Sequence, residues 1–171
     1  MQVKTYTQEG KIFSMGIERN LLDSFLKNSN KLGNDSLKVD GNLFLEAVKK
    51  QNVQFEFIRI KSFALDKTSK NINNAKNALI EAEYAIADSG QVVLDTSDID
   101  MLFTIYLAET LHVLVPASRI LNSMDDLEMI KGKVGVDLGR GITSVHVDGK
   151  KSDINFSPKT LKTMVYIIED L

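Results

Sequence analysis

Residues 90–116, GQVVLDTSDIDMLFTIYLAETLHVLVP, contain the pattern that decides the fold. A glycine leads into a short apolar strand over residues 91–94, a helical stretch covers Ile99–Leu107, and a second apolar strand over residues 111–115 stops at Pro116. Short apolar strands that alternate with helices are typical of βα units around a mostly parallel sheet. The sequence therefore predicts an α/β fold.

The chain before this stretch extends the alternation. Apolar spacing predicts helices around residues 17–25 and 41–50, with a polar loop over residues 28–35 between them. Aromatic and β-branched residues predict a strand over residues 54–60. Residues 72–86 carry alanines and larger apolar residues at helical spacing, so a helix is expected there.

The chain after this stretch fits the same scheme. A helix is predicted over residues 120–130, followed by strands at 134–136, 143–147 and 164–168. The sequence shows no internal repeat, low-complexity tract or linker rich in Pro, Gly or Ser. We therefore expect a single domain over residues 1–171.

Composition excludes several classes of function. The 171 residues are 43% hydrophobic and 26% charged, with a net charge of -2, which is typical of a globular domain and unlike a dedicated nucleic-acid binder. Without any Cys, the chain can hold no disulfide, thiolate zinc site or iron–sulfur cluster, and we expect no metal and no cofactor. The polar start and the lack of a long apolar run predict a cytoplasmic protein with no membrane partner.

The glycine-rich stretch 131–143 is one candidate site. Its Val-Gly-Val-Asp-Leu-Gly segment is similar to the first phosphate loop of actin-like ATPases, but too little chain follows for the further loops that such a site needs. Two interpretations stay open. The stretch is a turn between strands, or backbone N–H groups near Gly139 and Gly141, beside Arg140, form an anion nest.

The histidines and acidic residues also allow two interpretations each. His112 and His146 lie in strand-like segments, where they are either a base and an acid or strand histidines with satisfied hydrogen bonds. Asp95, Asp98 and Asp100 follow a strand, where ligands of open α/β sheets bind. Alternatively, Asp98 or Ser97 caps the helix that begins at Ile99, which is the interpretation we favour.

Residues 82–94, AEYAIADSGQVVL, resemble the central signature of the lactate-utilization (LUD) domain family. In that signature a helix ends in Ile-Ala-Glu-Thr-Gly-Thr and runs directly into a strand. Asp88, Ser89 and Gly90 stand for the family's Glu, Thr and Gly, while Gln91 departs from the usual Thr or Ser.

A second block supports the resemblance, and the C-terminal motif weakens it. Residues 111–121, LHVLVPASRIL, are similar to the family's His-Ile-Val-Val strand and the helix start that follows it. Residues 149–154, GKKSDI, keep only Asp-Ile of the family's Gly-Pro-Ser-Lys/Arg-Thr-Ala-Asp-Ile-Glu motif, and only residues 156–158 represent its later His-Gly-Pro. The resemblance covers residues 72–171, whereas residues 1–70 match only as generic elements.

The resemblance implies a three-layer α/β sandwich with a mostly parallel sheet, of the NagB/RpiA/CoA-transferase-like group. It also implies a role in lactate or related organic-acid metabolism, through binding a small organic acid or a partner redox subunit. The resemblance implies an iron–sulfur oxidoreductase subunit as that partner, because relatives act alongside such subunits and this chain, which lacks Cys, cannot carry the cluster itself. A homodimer is compatible with the sequence, although no exposed apolar run marks an interface.

The resemblance guides the choice of candidate site, whose ligand-binding residues are Asp88, Ser89, Gly90, Gln91, Arg119 and Arg140. In this site the arginines recognise a carboxylate and His112 transfers a proton. The Ser89→Ala and Arg140→Ala variants are then expected to lose ligand binding while keeping their melting temperature. Alternatively, the 88–91 turn only ends a helix and reverses the chain.

Two other functions remain open at this point. Remoter members of the fold handle sugar phosphates or CoA esters, and an enzyme of that kind needs a catalytic carboxylate, for which Glu109 and Asp137 are the candidates. The diverged C-terminal motif instead favours a non-catalytic interaction module. A metal site is not predicted, because no local spacing supplies further ligands beside the histidines.

Overall fold

The structure is a computed structural model that describes residues 20–51, 54–69, 76–96, 98–131, 136–139, 141–144 and 162–169. The helices are residues 20–31 (α1), Gly41–Gln51 (α2), Ile99–Leu107 (α3) and Met124–Lys131 (α4), with a 3₁₀ turn at Ala117–Arg119. The strands are Asp35–Asp40 (β1), Phe57–Ile60 (β2), Leu65–Thr68 (β3), Asn77–Glu81 (β4), Tyr84–Ile86 (β5), Val92–Leu94 (β6), Thr110–Pro116 (β7), Ile120–Leu121 (β8), Val136–Gly139 (β9), Ile142–Ser144 (β10) and Lys162–Glu169 (β11).

The larger sheet is mostly parallel. Its described strands lie in the order β1-β11-β7-β4-β2-β3, and only β3 runs antiparallel to its neighbour. Helix α2 packs on one face, where Phe44 and Val48 contact the cluster that contains Leu79 and Leu114. The mixed α/β fold with a mostly parallel central sheet is therefore confirmed.

A second sheet lies beside the first, with the order β8-β5-β6-β10-β9 among the described strands. Its pairs alternate between parallel and antiparallel. The main hydrophobic cluster joins the two sheets, because Ala85 and Val92 of the second sheet pack with Ile80 and Val113 of the first. Helices α1 and α3 contribute to this same cluster, for example through Phe25.

Residues 90–116 form the predicted strand, helix and strand, with one difference. β6 belongs to the second sheet and β7 to the first, so α3 connects two sheets instead of two neighbouring strands of one sheet. Pairing with distant strands decides this arrangement, and local spacing does not reveal it.

The predicted helix over residues 72–86 is wrong. Residues 77–86 form β4 and β5, and Ala78, Leu79 and Ile80 are fully buried in the sheet. A central parallel strand is apolar on both faces, so its sequence lacks the alternation of a half-exposed strand and matches a helical spacing by chance. Residues 70–75 lie outside the described residues.

Two further boundaries differ from the predictions. Helix α1 extends into the predicted loop as far as residue 31, and Ile120–Leu121 form β8 before α4 begins at Met124. The α4 start has its own cap, since the Ser123 backbone N–H donates to Asp126 Oδ2 at 3.1 Å. The other predicted helices and strands are confirmed within the described residues, with shifts of a few residues at their ends, and residues 17–19, 134–135 and 145–147 of the predicted ranges lie outside the described part.

Candidate functional site

A cavity of about 320 Å³ opens where β2, β4 and β6 end. Its lining residues are Arg59, Ile60, Lys61, Ala64, Leu65, Asp66, Glu81, Glu83, Asp95, Thr96, Asp98 and Met101. β2 and β4 are parallel, so their carboxyl ends meet at one edge of the larger sheet. Ligands of open α/β sheets bind outside the carboxyl ends of strands. The cavity is therefore the candidate functional site.

Arg59 is held in one wall of this cavity by two carboxylates. Its Nε donates to Asp98 Oδ2 at 2.9 Å, and its Nη1 donates to Asp66, which lies opposite it on β3. The guanidinium group also lies over the Phe57 ring, 4.5 Å from the centroid. The Arg59 guanidinium group is therefore engaged in structural contacts that link Asp66 and Asp98 in the cavity wall.

Asp98 has a second contact that fixes the start of α3. Its other oxygen, Oδ1, accepts from the backbone N–H groups of Asp100 and Met101 at 3.0 and 3.2 Å. The cap interpretation of Asp98 is thus confirmed, and the same side chain lines the cavity. One carboxylate joins the end of β2 to the start of α3.

Glu81, at the end of β4, fastens the loop between β2 and β3. Its side chain is only 3% exposed. Its oxygens accept from the Ser62 backbone N–H at 2.7 Å and from Ser62 Oγ at 2.6 Å, and Arg119 Nη1 donates at 3.2 Å. The fastened loop contains Lys61 and Ala64, which has a positive φ of 50°. Strain of this kind persists only where surrounding contacts enforce the backbone.

Asp95, another lining residue, follows β6 and binds Lys131 at the end of α4. Lys131 Nζ donates to Asp95 Oδ2 at 2.6 Å and lies 5.9 Å from the centroid of the Tyr84 ring. This hydrogen bond is the main cause that raises the pKa of Lys131 above its ordinary value. The lysine stays protonated and joined to the wall.

Two charged residues of the lining, Lys61 and Glu83, differ from the paired charged residues described above. Within the described residues, neither the Lys61 ammonium group nor the Glu83 carboxylate has a hydrogen bond or ion pair. Lys61 is exposed, and Glu83 is half-buried. The cavity therefore offers one cation and one anion that have no hydrogen bond or ion pair with its described wall.

Comparisons with known proteins identify the family. The model of the LUD domain matches residues 2–133. The chain belongs to the LUD domain family. The structure is similar to the crystal structure of a DUF162-family protein from Deinococcus radiodurans, with a TM-score of 0.56 and 12% identity over 90% of this chain and 98% of that chain. At that identity the likeness concerns the fold alone, and a comparison with curated proteins found no match.

The LUD signature turn, Asp88 to Gln91, lies away from the cavity. β5 starts and β6 ends at the cavity, and the turn joins their other ends. There it packs against the end of α1, where Asn28 Nδ2 donates to the carbonyls of Ala87 and Asp88 at 2.8 and 3.1 Å. Gly90 in this turn has a positive φ of 72°.

His112 lies on the face of β7 that carries α2, apart from the cavity lining. Its Nδ1 is 2.8 Å from the Tyr166 hydroxyl, and its ring meets Phe55 edge-on at a centroid distance of 5.1 Å. Burial, with a smaller effect of Lys162, lowers the pKa of His112 below its ordinary value. Burial also raises the pKa of Tyr166. The pair is therefore neutral at pH 7.

The other predicted site residues are dispersed. Glu109 is exposed at the amino end of β7, and Arg119 follows the carboxyl end of β7, where it binds Glu81. Asp137 belongs to β9, but its side chain, like all of Arg140 and His146, lies outside the described residues. The structure thus brings Asp95 and Asp98 into the cavity lining, joins Arg119 to the lining residue Glu81, and places the signature turn, His112 and Glu109 elsewhere.

Sequence reasoning missed Arg59, Lys61, Glu81 and Glu83. The usable signal was the rule that ligands gather at the carboxyl ends of parallel strands. It pointed to the residues after β6, but residues 77–81 had been assigned to a helix, so the end of β4 was not considered. In the described part of the chain, no group of three or more acidic or histidine side chains is placed to hold a metal, and no helix is long and apolar enough to cross a membrane.

Proposed function

We propose that this LUD-domain protein binds a small monocarboxylate in the cavity at the carboxyl edge, with L-lactate as the first ligand to test. The observation that carries the proposal is the charge pairing of the lining. Arg59 is neutralised by Asp66 and Asp98, whereas the ammonium group of Lys61 has no partner among the described residues. A ligand carboxylate would supply that partner through a charge-assisted hydrogen bond.

The size and position of the cavity support the same proposal. A volume of about 320 Å³ is at the small end of ligand pockets, which suits a metabolite of a few carbon atoms. The loop that carries Lys61 is fixed by Glu81 through two hydrogen bonds to Ser62, so the backbone of Lys61 is held at the cavity edge before a ligand arrives. Such preorganisation lowers the entropic cost of binding.

A metabolic role follows within this proposal. The family membership supports a function in lactate or related organic-acid metabolism in the cytoplasm, on a NagB/RpiA/CoA-transferase-like scaffold. Because the chain has no Cys, it offers no thiolate for an iron–sulfur cluster, so an iron–sulfur cluster that accepts the two electrons released by oxidation of a hydroxy acid would lie in a separate subunit. An iron–sulfur oxidoreductase subunit is the partner we propose.

Calorimetric titration and thermal unfolding with L-lactate test the site. A ligand that binds the native state raises the unfolding temperature. The Lys61→Gln variant should bind at least about tenfold more weakly, because a hydrogen bond to a charged group is lost. Lys49→Gln, an equivalent change on the exposed surface of α2, should bind as the unchanged protein does. Unchanged affinity in Lys61→Gln would place the ligand elsewhere.

A further inference from the structure

Glu83 is the second unpartnered charge of the cavity, and its backbone position is fixed by both sheets. The N–H of Ala82 donates to the Leu114 carbonyl of the larger sheet at 2.8 Å. The N–H of Glu83 donates to the Val93 carbonyl of the second sheet, also at 2.8 Å. The chain crosses between the sheets at this point, and the Glu83 side chain lines the cavity there.

The other carboxylates of the described lining all have cationic partners. Asp66 and Asp98 bind Arg59, Glu81 binds Arg119, and Asp95 binds Lys131. Lys131 also interacts electrostatically with Glu83, but its ammonium group is hydrogen-bonded to Asp95. The acceptor capacity of the Glu83 carboxylate is therefore unused by the wall.

A carboxylate accepts hydrogen bonds and cannot donate them. A small acid whose carboxylate binds Lys61 and whose next carbon reaches Glu83 therefore gains from a hydrogen-bond donor on that carbon. A hydroxyl or an ammonium group at that carbon supplies a donor, a carbonyl presents only lone pairs, and a second carboxylate is repelled. Sites built to hydrogen-bond such a group discriminate strongly against analogues that lack it.

We infer that Glu83 is a specificity-determining residue that selects acids with a hydrogen-bond donor on the carbon next to the carboxylate, that is, 2-hydroxy or 2-amino acids over 2-oxo acids. The inference rests on the proposed function, since it takes Lys61 as the partner of the ligand carboxylate. It adds that the site favours the hydroxy form of a hydroxy/oxo pair.

Four acids of nearly equal size test this inference. L-Lactate, L-alanine, pyruvate and propionate differ only at the second carbon, and calorimetry gives their affinities for the purified chain. We expect lactate or alanine to bind about tenfold more tightly than pyruvate and propionate, as a hydrogen bond to a charged group predicts. In Glu83→Gln that preference should fall to about threefold or less, because the amide also donates. Glu46→Gln, an exposed change on α2, should keep it.

The outcomes separate the two proposals. Equal affinity for lactate, alanine and pyruvate, with Lys61→Gln still losing binding, overturns the role of Glu83 and leaves the carboxylate site in place. A preference that survives in Glu83→Gln also overturns the role of Glu83. Failure of all four acids to bind overturns the proposed function and this inference with it. Because Glu83 has no side-chain bond among the described residues, its variant should melt like the unchanged protein.

Discussion

The signature turn and the carboxyl-edge cavity are both polar in sequence, yet they differ in whether their polar groups have hydrogen-bond or ion-pair partners. In the turn, the carbonyls of Ala87 and Asp88 accept from Asn28 of α1, and Gly90 is buried against the same helix. In the cavity, most charges are also paired, but Lys61 and Glu83 are not paired within the described residues. Unused hydrogen-bonding capacity beside a cavity separates a candidate site from a polar turn.

The comparison predicts opposite effects of substitution in the two regions. The backbone of the turn packs closely against α1, so substitutions that disturb this contact should alter stability. The cavity has side chains with no structural partner, so changes at those side chains should alter binding and leave stability unchanged.

The largest expected effect is at Gly90. A Cβ there would overlap the backbone of Ser29 and Asn28, and the φ of 72° is unfavourable for any side chain. We expect Gly90→Ala to lower the free energy of unfolding by about 3 kcal/mol or more, from backbone strain together with overpacking. Gly33→Ala is the matched control, because Gly33 has a φ of 92° with open space around it.

Urea unfolding of both glycine variants measures the difference. The Gly33 variant should lose only about 1 kcal/mol, the cost of the left-handed backbone alone. Equal losses of unfolding free energy in the two variants would mean that a Cβ at residue 90 meets no steric overlap with α1. That result would contradict the close packing of the turn against this helix.

The next effect is at Glu81, where a structural charge lies inside the cavity wall. Glu81→Ala removes the acceptor of Ser62 and the partner of Arg119, so about 2 kcal/mol of stability should be lost. Glu46→Ala breaks an exposed pair with Lys50 and should change stability by less than about 0.5 kcal/mol. Similar stabilities of the two variants in urea unfolding would contradict the fastening role of Glu81.

A smaller effect concerns pH, in a region that belongs to neither site. The pKa of His112 is lower in the folded state than its ordinary value of 6.5, so the unfolded chain binds more protons below about pH 7. Stability should therefore fall as the pH drops through 6.5 toward the folded-state pKa. His112→Gln should flatten the dependence of the unfolding free energy on pH between about 5.5 and 7.5. An unchanged slope would show that His112 titrates normally in the folded protein.

The fold was largely predictable from local patterns. The strand at residues 92–94, α3 and β7 follow from apolar runs bounded by Gly90 and Pro116, because those signals are local. The helix assigned to residues 72–86 failed because a strand buried on both faces has no alternation to reveal it. The division into two sheets depends on which distant strands pair, and that information is not contained in any one segment.

The cavity was predictable only in part. Asp95 and Asp98 were found, because they directly follow an apolar strand. Lys61 and Glu83 were not, since each depends on β2 and β4 lying side by side with parallel ends. Whether a charge has a partner is a tertiary property, as Arg59 and Lys61 show: they are two positions apart, and only Arg59 is paired among the described residues.

The smallest expected effect on stability is at Ser89, and it separates the two regions as ligand sites. Ser89 Oγ accepts from the Gln91 N–H at a long 3.4 Å, so Ser89→Ala should change the unfolding free energy by less than about 0.5 kcal/mol. If the signature turn binds the ligand, this variant loses lactate binding. If the cavity binds it, the affinity stays within about twofold, because the turn lies at the other end of the β5–β6 hairpin. We expect the second result by calorimetry, and loss of binding in Ser89→Ala together with retention in Lys61→Gln would move the site to the turn.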